Sequence, residues 1–489
     1  MAGRNIENGT AGTDLPELEE LTRRLMAGRE HGKWSRQDSG YVRDDGRRRT
    51  GHRQPDTGSR IQAAGKGSSL DDRMTDKGSE QRDRVILIGV RTPQSEVDEQ
   101  DSLDELASLA DTAGAEVLGT VIQNLENPEP GTYIGRGKIE EVKALAQELE
   151  ANGVIADDEL SPAQMRNLSD ALDLKVMDRT LLILDIFAQR ATSSEGKIQV
   201  EMAQLKYRMT RLSGIGTQLS RLGGGIGTRG PGEKKLETDR RLIQRRITQL
   251  KRELEDVRRH RELLRGHRGE GAAPVAAIVG YTNAGKSTLL NTLTGAGVLA
   301  ENKLFATLDP VTRLLELDGG QKVLLTDTVG FIRKLPHHLV EAFGSTLEEA
   351  KYADVIIHVV DASNPQAESQ METVYDTLGQ LGVMGKPVIT LLNKTDCLDD
   401  GMTGNVTGDR RADAVVRISA KTGAGLDAFE RVLQDILTRD LILVERTYGY
   451  QDGGKVQLIR TYGQILESKY EPDGIWVKAY VPKKIYGSI

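Results

Sequence analysis

The run Gly280, Tyr281, Thr282, Asn283, Ala284, Gly285, Lys286, Ser287, Thr288 carries the spacing G-x-x-x-x-G-K-S. This spacing suits phosphate chemistry. Glycines let successive backbone N–H groups surround the oxygens, Lys286 offsets charge at the β and γ positions, and the Ser287 hydroxyl can ligate Mg2+. The apolar run Val275 to Val279 precedes the loop and "TLLNTLTG" follows it, which predicts a strand before the loop and a helix after it.

Further groups follow in an order that completes a nucleotide site. "FATLDP" contributes Phe305, Ala306, Thr307, Leu308 and Asp309, with Thr307 as the mobile-loop Mg2+ ligand that senses the γ-phosphate. "KVLLTDTVG" reads as a buried strand ending at Asp327, which would hold Mg2+ through water; Thr328 and Val329 lead to Gly330, whose N–H can reach the γ-phosphate. Metal ligation thus falls to Ser287, Thr307 and Asp327, and catalysis to Lys286, Thr307 and Gly330. A later strand delivers Asn393, Lys394, Thr395 and Asp396. The Asp396 carboxylate can accept from guanine N1–H and the N2 amine together, a donor pair adenine lacks, so the expected nucleotide is GTP. Ser419, Ala420 and Lys421 end a last strand and are suited to cover the guanine O6 edge. Such groups at successive strand ends predict an open, mostly parallel sheet with its ligand at the carboxyl ends. Phe331 stands where many small GTPases carry a water-orienting glutamine. A phenyl ring can neither orient water nor offset charge, so it reads either as a packing residue or as the mark of a centre that a partner completes.

The 489 residues exceed one core and predict several domains. Hydrophobic content of 37% and charged content of 28% describe a soluble protein, and a net charge of −7 argues against indiscriminate nucleic-acid binding. One cysteine, Cys397, excludes an intramolecular disulfide framework and a Cys-rich zinc site. No apolar run approaches the ~20 residues of a membrane span, and the N-terminus lacks a signal-peptide core, so a cytoplasmic protein is expected. Residues 1–83 read as a disordered, charged extension. Over 84–195, strand and helix signals alternate as in a small α/β domain. There "GTYIGRGK" has Thr132 where a phosphate loop needs glycine and Ile139 after Lys138, and reads as a turn with a basic tip.

Residues 196–270 show a different period. Ile198, Met202, Leu205, Met209 and Leu212 step by four and three, and Leu236, Ile243, Ile247, Leu250, Leu254, Val257 and Leu264 fall on the same seven-residue grid. Two such seams predict an antiparallel helical hairpin. Its glycine-rich tip lies between them, and a second helix of about thirty residues would project on the order of 45 Å. Arg221, Gly223, Gly224, Gly225, Arg229, Lys234, Lys235, Arg240 and Arg241 form a basic tip in an acidic chain. Glycine permits close backbone approach and arginine grips phosphate and stacks on bases, so the tip reads as an RNA contact. Residues 271–440 hold the nucleotide groups. Residues 441–489, with Tyr448, Tyr450, Tyr462, Tyr470, Trp476 and Tyr480, form a small appendage whose aromatics read first as its core and second as a docking face.

The expected fold is therefore multidomain α/β: a small N-terminal α/β domain, an antiparallel helical hairpin, a P-loop GTPase domain with a mostly parallel sheet, and a small α+β C-terminal domain. With "GPGEKKLETDRR", "GYTNAGKSTLLNTL", "FATLDP", "DTVGF", "NKTD" and "SAK", the chain from about residue 84 onward resembles the HflX family of ribosome-associated GTPases. The resemblance implies binding to the large (50S) ribosomal subunit and GTP-dependent splitting of stalled or idle 70S ribosomes, by a monomer with no membrane partner. It also implies ATP binding by the N-terminal region, for which Arg84 to Ala191 offers no phosphate motif. A large-subunit assembly GTPase and a nucleotide-regulated RNA remodeller are the alternatives.

Overall fold

Val85 to Val90 is an apolar run without alternation, as a parallel strand covered on both faces requires. In the computed structural model it forms β1 (Arg84–Arg91) of a four-stranded sheet. The structure describes residues 82–94, 98–222, 231–266, 273–295, 297, 303–318, 320–336, 349–383, 385–398, 406, 408–439 and 441–489, without the side chains of 213–236, 262, 264–266 and 484. The expected N-terminal extension lies almost wholly outside these residues.

After β1 come α1 (Glu99–Thr112), β2 (Glu116–Asn124), α2 (Arg136–Glu148), β3 (Gly153–Ala156), α3 (Pro162–Leu172), β4 (Lys175–Asp178) and α4 (Arg179–Arg190). All pairings are parallel, in the order β2-β1-β3-β4. Local chemistry sets the helix starts. Asp98 and Asp178 accept from Gln100 and Leu181 N–H groups, while Ser161 and Gln164 form a reciprocal capping box with Pro162 at the first helical position. The segment "GTYIGRGK" turns into the start of α2.

α5 (Ser194–Leu222) and α6 (Pro231–Gly266) follow, of 29 and 36 residues. Met202, Ile243, Ile247, Leu250 and Leu254 are buried between them, flanked by Ile198, Leu205, Met209 and Leu212, so these positions of the seven-residue grid form the helix–helix seam, while the side chains of Leu236 and Leu264 lie outside the described residues. Arg246 makes two bonds to Glu201 across it, at 2.8 and 2.9 Å. The second helix begins earlier than its glycine and proline content suggests, at Pro231. Proline costs no hydrogen bond at a first helical position, where the N–H has no helical partner. At ~1.5 Å per residue α6 extends about 54 Å. Asp178 anchors α5 to the first sheet, accepting from Tyr207 Oη at 2.8 Å and Arg211 at 2.6 Å.

β5 (Val275–Gly280), α7 (Lys286–Thr294), β6 (Val311–Glu316), β7 (Lys322–Asp327), β8 (Val355–Asp361), α8 (Ala367–Gln380), β9 (Val388–Asn393), β10 (Ala414–Arg417) and α9 (Leu426–Thr438) build a six-stranded sheet of order β10-β9-β8-β5-β7-β6. Only β6 runs antiparallel, against β7. The chain closes with β11 (Leu441–Tyr448), α10 (Gly453–Tyr462), β12 (Gln464–Glu471), β13 (Gly474–Pro482) and α11 (Lys483–Tyr486), an antiparallel sheet ordered β11-β13-β12. Its core corrects the reading of the aromatics. Val444, Val456, Ile459, Val477, Ala479, Val481 and Ile489 fill it with Tyr448, while Tyr450, Tyr462 and Tyr470 are exposed. Alternation along β13 explains this: Val477, Ala479 and Val481 face inward, which puts Trp476 and Tyr480 on the opposite face.

Candidate nucleotide site

The loop between β5 and α7 wraps a cleft that glycines make possible. Gly280 has φ +153°, and a Cβ there would lie 2.3 Å from the Val359 carbonyl oxygen. Gly285 has φ +101° and abuts the Asn393 side chain. Thr282, Asn283, Gly285, Lys286, Ser287, Thr288, Phe305, Ala306, Thr307, Thr328 and Gly330 line the cleft together with Lys303. At Gly330 an added Cβ would stand 2.8 Å from Thr282 Cα and 3.0 Å from Lys286 Nζ, so this wall admits no side chain. The loop is braced from below. Ala284 accepts from Asn393 Nδ2 at 2.8 Å, and Asn393 Oδ1 accepts from Ala420 N–H at 2.9 Å, which ties three strand ends into one floor.

Three oxygens converge on that floor. Ser287 Oγ lies 2.8 Å from Thr307 Oγ1 and 2.7 Å from Asp327 Oδ2, and Asp327 Oδ1 is buried with no hydrogen-bond partner. Adjacent corners of an octahedron with ~2.1 Å metal–oxygen bonds are ~3 Å apart. The donor set therefore fits Mg2+ held by the two hydroxyls directly, with the carboxylate beside them. Burial lowers the Lys286 ammonium to about 8 against the pull of Asp327, and it raises the Asp327 carboxyl against Lys286 and the Ser287 bond. Lys286 Nζ meanwhile donates to the carbonyls of Gly280 and Tyr281 at 3.1 and 2.7 Å.

At the far end Asp396 is mostly exposed and accepts from Ser419 Oγ at 2.6 Å, which holds its carboxyl below the usual range. Lys394, at φ +63°, pairs with Asp361 at 2.7 Å, and Thr395 donates to the Ile418 carbonyl. Ala420 is buried and Lys421 exposed at the same edge. Leu308 and Val329, expected at the nucleotide, are instead core residues, and Asp309 turns its carboxylate away toward Thr192 and Ser193. Phe331 is 1% exposed. Its N–H donates to Gly280 and its carbonyl accepts from Thr282, at 3.1 and 2.8 Å, so the residue that replaces glutamine is clamped to the phosphate loop as packing.

Behind the cleft lies a polar contact that local patterns do not reveal. The carboxyl ends of β1 and β3 bring Asp157, Asp158 and Glu99 to Lys334, which pairs with Asp157 and, at 2.8 Å, with Asp158. Arg179, 1% exposed, pairs with Asp157 at 2.9 Å and with Glu105, and Glu105 also accepts from Tyr281 Oη. That hydroxyl in turn accepts from Arg333 N–H at 2.9 Å. Burial pushes Glu99 up to about 7 despite nearby Lys334.

Of the basic tip, Gly223, Gly224, Gly225 and Arg229 lie outside the described residues, as do the side chains of Arg221, Lys234 and Lys235. Arg240 and Arg241 are exposed on α6, Arg241 paired with Glu237 at 2.9 Å. Among the described residues no helix is long and apolar enough to cross a membrane.

Comparison with known families matches residues 100–188 to one described as "GTP-binding GTPase N-terminal", 190–268 to "GTP-binding GTPase Middle Region" and 275–394 to "50S ribosome-binding GTPase". The chain is 62% identical over 407 residues to the GTPase HflX of Lacrimispora saccharolytica, a span of 83% of this chain and 95% of that one. It is 41% identical over 359 residues to the GTPase HflX of Escherichia coli, covering 73% and 84%. A solved structure of a GTP-binding protein from Sulfolobus solfataricus with GDP is 26% identical, covers 73% of this chain and 99% of that one, and superposes with a TM-score of 0.40.

Proposed function

The chain belongs to the HflX family of GTPases, and from that premise we propose that it binds the large ribosomal subunit in its GTP form, splits stalled or idle 70S ribosomes, and hydrolyses GTP to leave. The observation that carries this reading is a pairing within one molecule. Thr307 stands beside Ser287 and Asp327, where a γ-phosphate and Mg2+ would hold it, and two helices of 29 and 36 residues pack along one seam on either side of the basic glycine-rich stretch of the sequence.

The chain's own groups divide the work. Backbone N–H groups of the loop and Lys286 cradle the phosphates, Asp396 selects guanine, and Gly330 N–H reports the γ-phosphate. Ser287, Thr307 and Asp327 would hold Mg2+, which offsets charge on the β- and γ-oxygens when bound. A γ-phosphate would hold Thr307 and Gly330 in place and its loss would free them, which makes hydrolysis a release step. The arm carries Arg221, Gly223, Gly224, Gly225, Arg229, Lys234, Lys235, Arg240 and Arg241 into ribosomal RNA as a monomer in the cytoplasm, and its bulk separates the subunits.

Sedimentation of complete ribosomes with the protein and GTP, GDP or a non-hydrolysable GTP analogue tests this. The analogue supports splitting and GDP does not; binding with the analogue but no splitting contradicts the proposed order. Preference for immature large subunits over complete ribosomes would favour an assembly role.

A further inference from the structure

The γ-phosphate-sensing loop does more than line the cleft. Three of its residues point three ways. Thr307 faces the metal-binding floor, Phe305 packs its ring edge-to-face on Phe187 of α4 with centroids 4.7 Å apart, and Asp309 reaches the foot of the arm. Phe305 adopts φ +54°, a conformation costly for a bulky residue, which surrounding contacts must impose. Asp309 collects four donors: Thr192 N–H at 3.0 Å, Thr192 Oγ1 at 2.6 Å, Ser193 N–H at 2.7 Å and Ser193 Oγ. Ser193 Oγ accepts in turn from Gly196 N–H at 2.9 Å and so caps α5. An anion beside a helix N-terminus is favoured by the helix dipole as well.

On this geometry we infer that Asp309 is a positioning residue that fastens the nucleotide-sensing loop to the N-terminus of α5, so that displacement of Thr307 is delivered to the root of the arm. The inference rests on the reading of Thr307 as γ-phosphate sensor. Only Leu308 separates Thr307 from Asp309, and Pro310 restricts the backbone directly after them. Gly196 supports the same assignment independently. An added Cβ at this helical position would meet Asp309 Oδ1 at 2.5 Å, so glycine makes room for the carboxylate where alanine would otherwise suit a helix better.

Amide hydrogen exchange at Ser194 to Lys197, followed in the full chain with GDP and with a non-hydrolysable GTP analogue, tests the link. In the natural protein the first turn of α5 exchanges at least threefold more slowly with the analogue. Asp309→Ala and Gly196→Ala each abolish that difference, and Asp309→Asn, which keeps one accepting oxygen, retains part of it. A cap with a purely local role raises exchange equally in both nucleotide states under Asp309→Ala, and it predicts a better-protected turn under Gly196→Ala; either result overturns the inference. The readout needs no ribosome, so failure of this link and failure of ribosome splitting are separate observations.

Discussion

At the scale of single residues, the cleft is governed by atoms that cannot be enlarged or recharged. Gly330 is the clearest. Alanine there would drive its methyl to 2.8 Å from Thr282 Cα and toward Lys286 Nζ, and would displace the N–H assigned to the γ-phosphate. Losing one such donor lowers turnover about a hundredfold. Gly330→Ala should therefore cut single-turnover GTP hydrolysis by about that factor while a fluorescent-GDP titration stays within threefold. Asp396→Asn separates base recognition from phosphate binding. The amide loses an accepting oxygen and about 3 kcal/mol of charge-assisted bonding, roughly a hundredfold in GDP affinity. Because xanthine carries a C2 carbonyl where guanine has its amine, the new N–H gains a partner, and the variant should prefer xanthine nucleotides in competition titrations. Glu99 provides the pH test. Its carboxyl is raised from the ordinary 4.5 to about 7 by burial, so its neutral form favours folding at acid pH. That contribution declines as pH rises from about 4.5 through 7, because the unfolded chain ionises first. Glu99→Gln stays neutral throughout. Its melting temperature relative to the natural protein should differ least near pH 4, grow more positive as pH rises from about 4.5 to about 7, and level off above that; a flat difference would overturn the shift assigned to Glu99.

At the scale of elements, what could be read in advance was what neighbouring residues decide. The phosphate loop, its flanking strand and helix, and the Ser287 hydroxyl occupy one contiguous stretch whose conformation is set by local glycines. The hairpin seam was legible for the same reason, since a seven-residue period is a property of one helix before it is a property of two. Leu250 sits at the centre of that seam with no exposed surface. Leu250→Ala should lower the urea midpoint of the arm by an amount equivalent to ~2–5 kcal/mol and leave nucleotide affinity unchanged. The partners of Asp309 and Lys334 were not legible. Asp309 meets Ser193 from 116 positions away, and Lys334 meets Asp157 from 177, so their chemistry depends on how separate elements dock. Nor could composition settle the C-terminal aromatics. Trp476 and Tyr480 are turned out of the core because valine and alanine occupy the inward positions of β13, a matter of register that a count of aromatics does not contain.

At the scale of the whole molecule, the hydrolytic centre and the arm pose one problem. Phe331 is buried, its backbone is bonded to the phosphate loop and its side chain has no hydrogen-bonding group, so that side chain cannot orient the attacking water. Glutamine-dependent GTPases left alone already turn over at only ~10⁻³ s⁻¹ or less. This chain, without glutamine, should be at least as slow. Another side chain of this chain, an ordering of its loops, or a group from the proposed ribosomal partner would then complete the centre, and a partner that received the basic tip would be placed to provide either of the last two. Adding purified large subunits should raise the GTP turnover number by between ~10- and ~10³-fold. Removing residues 223–230 separates capture from chemistry. If the tip carries the binding energy, the deletion abolishes both subunit stimulation and ribosome splitting, while basal turnover and GDP affinity stay at their starting values. Full stimulation in the tipless protein would locate the activating contact on the nucleotide domain itself, and equal turnover with and without subunits would mean that the chain orients its own water.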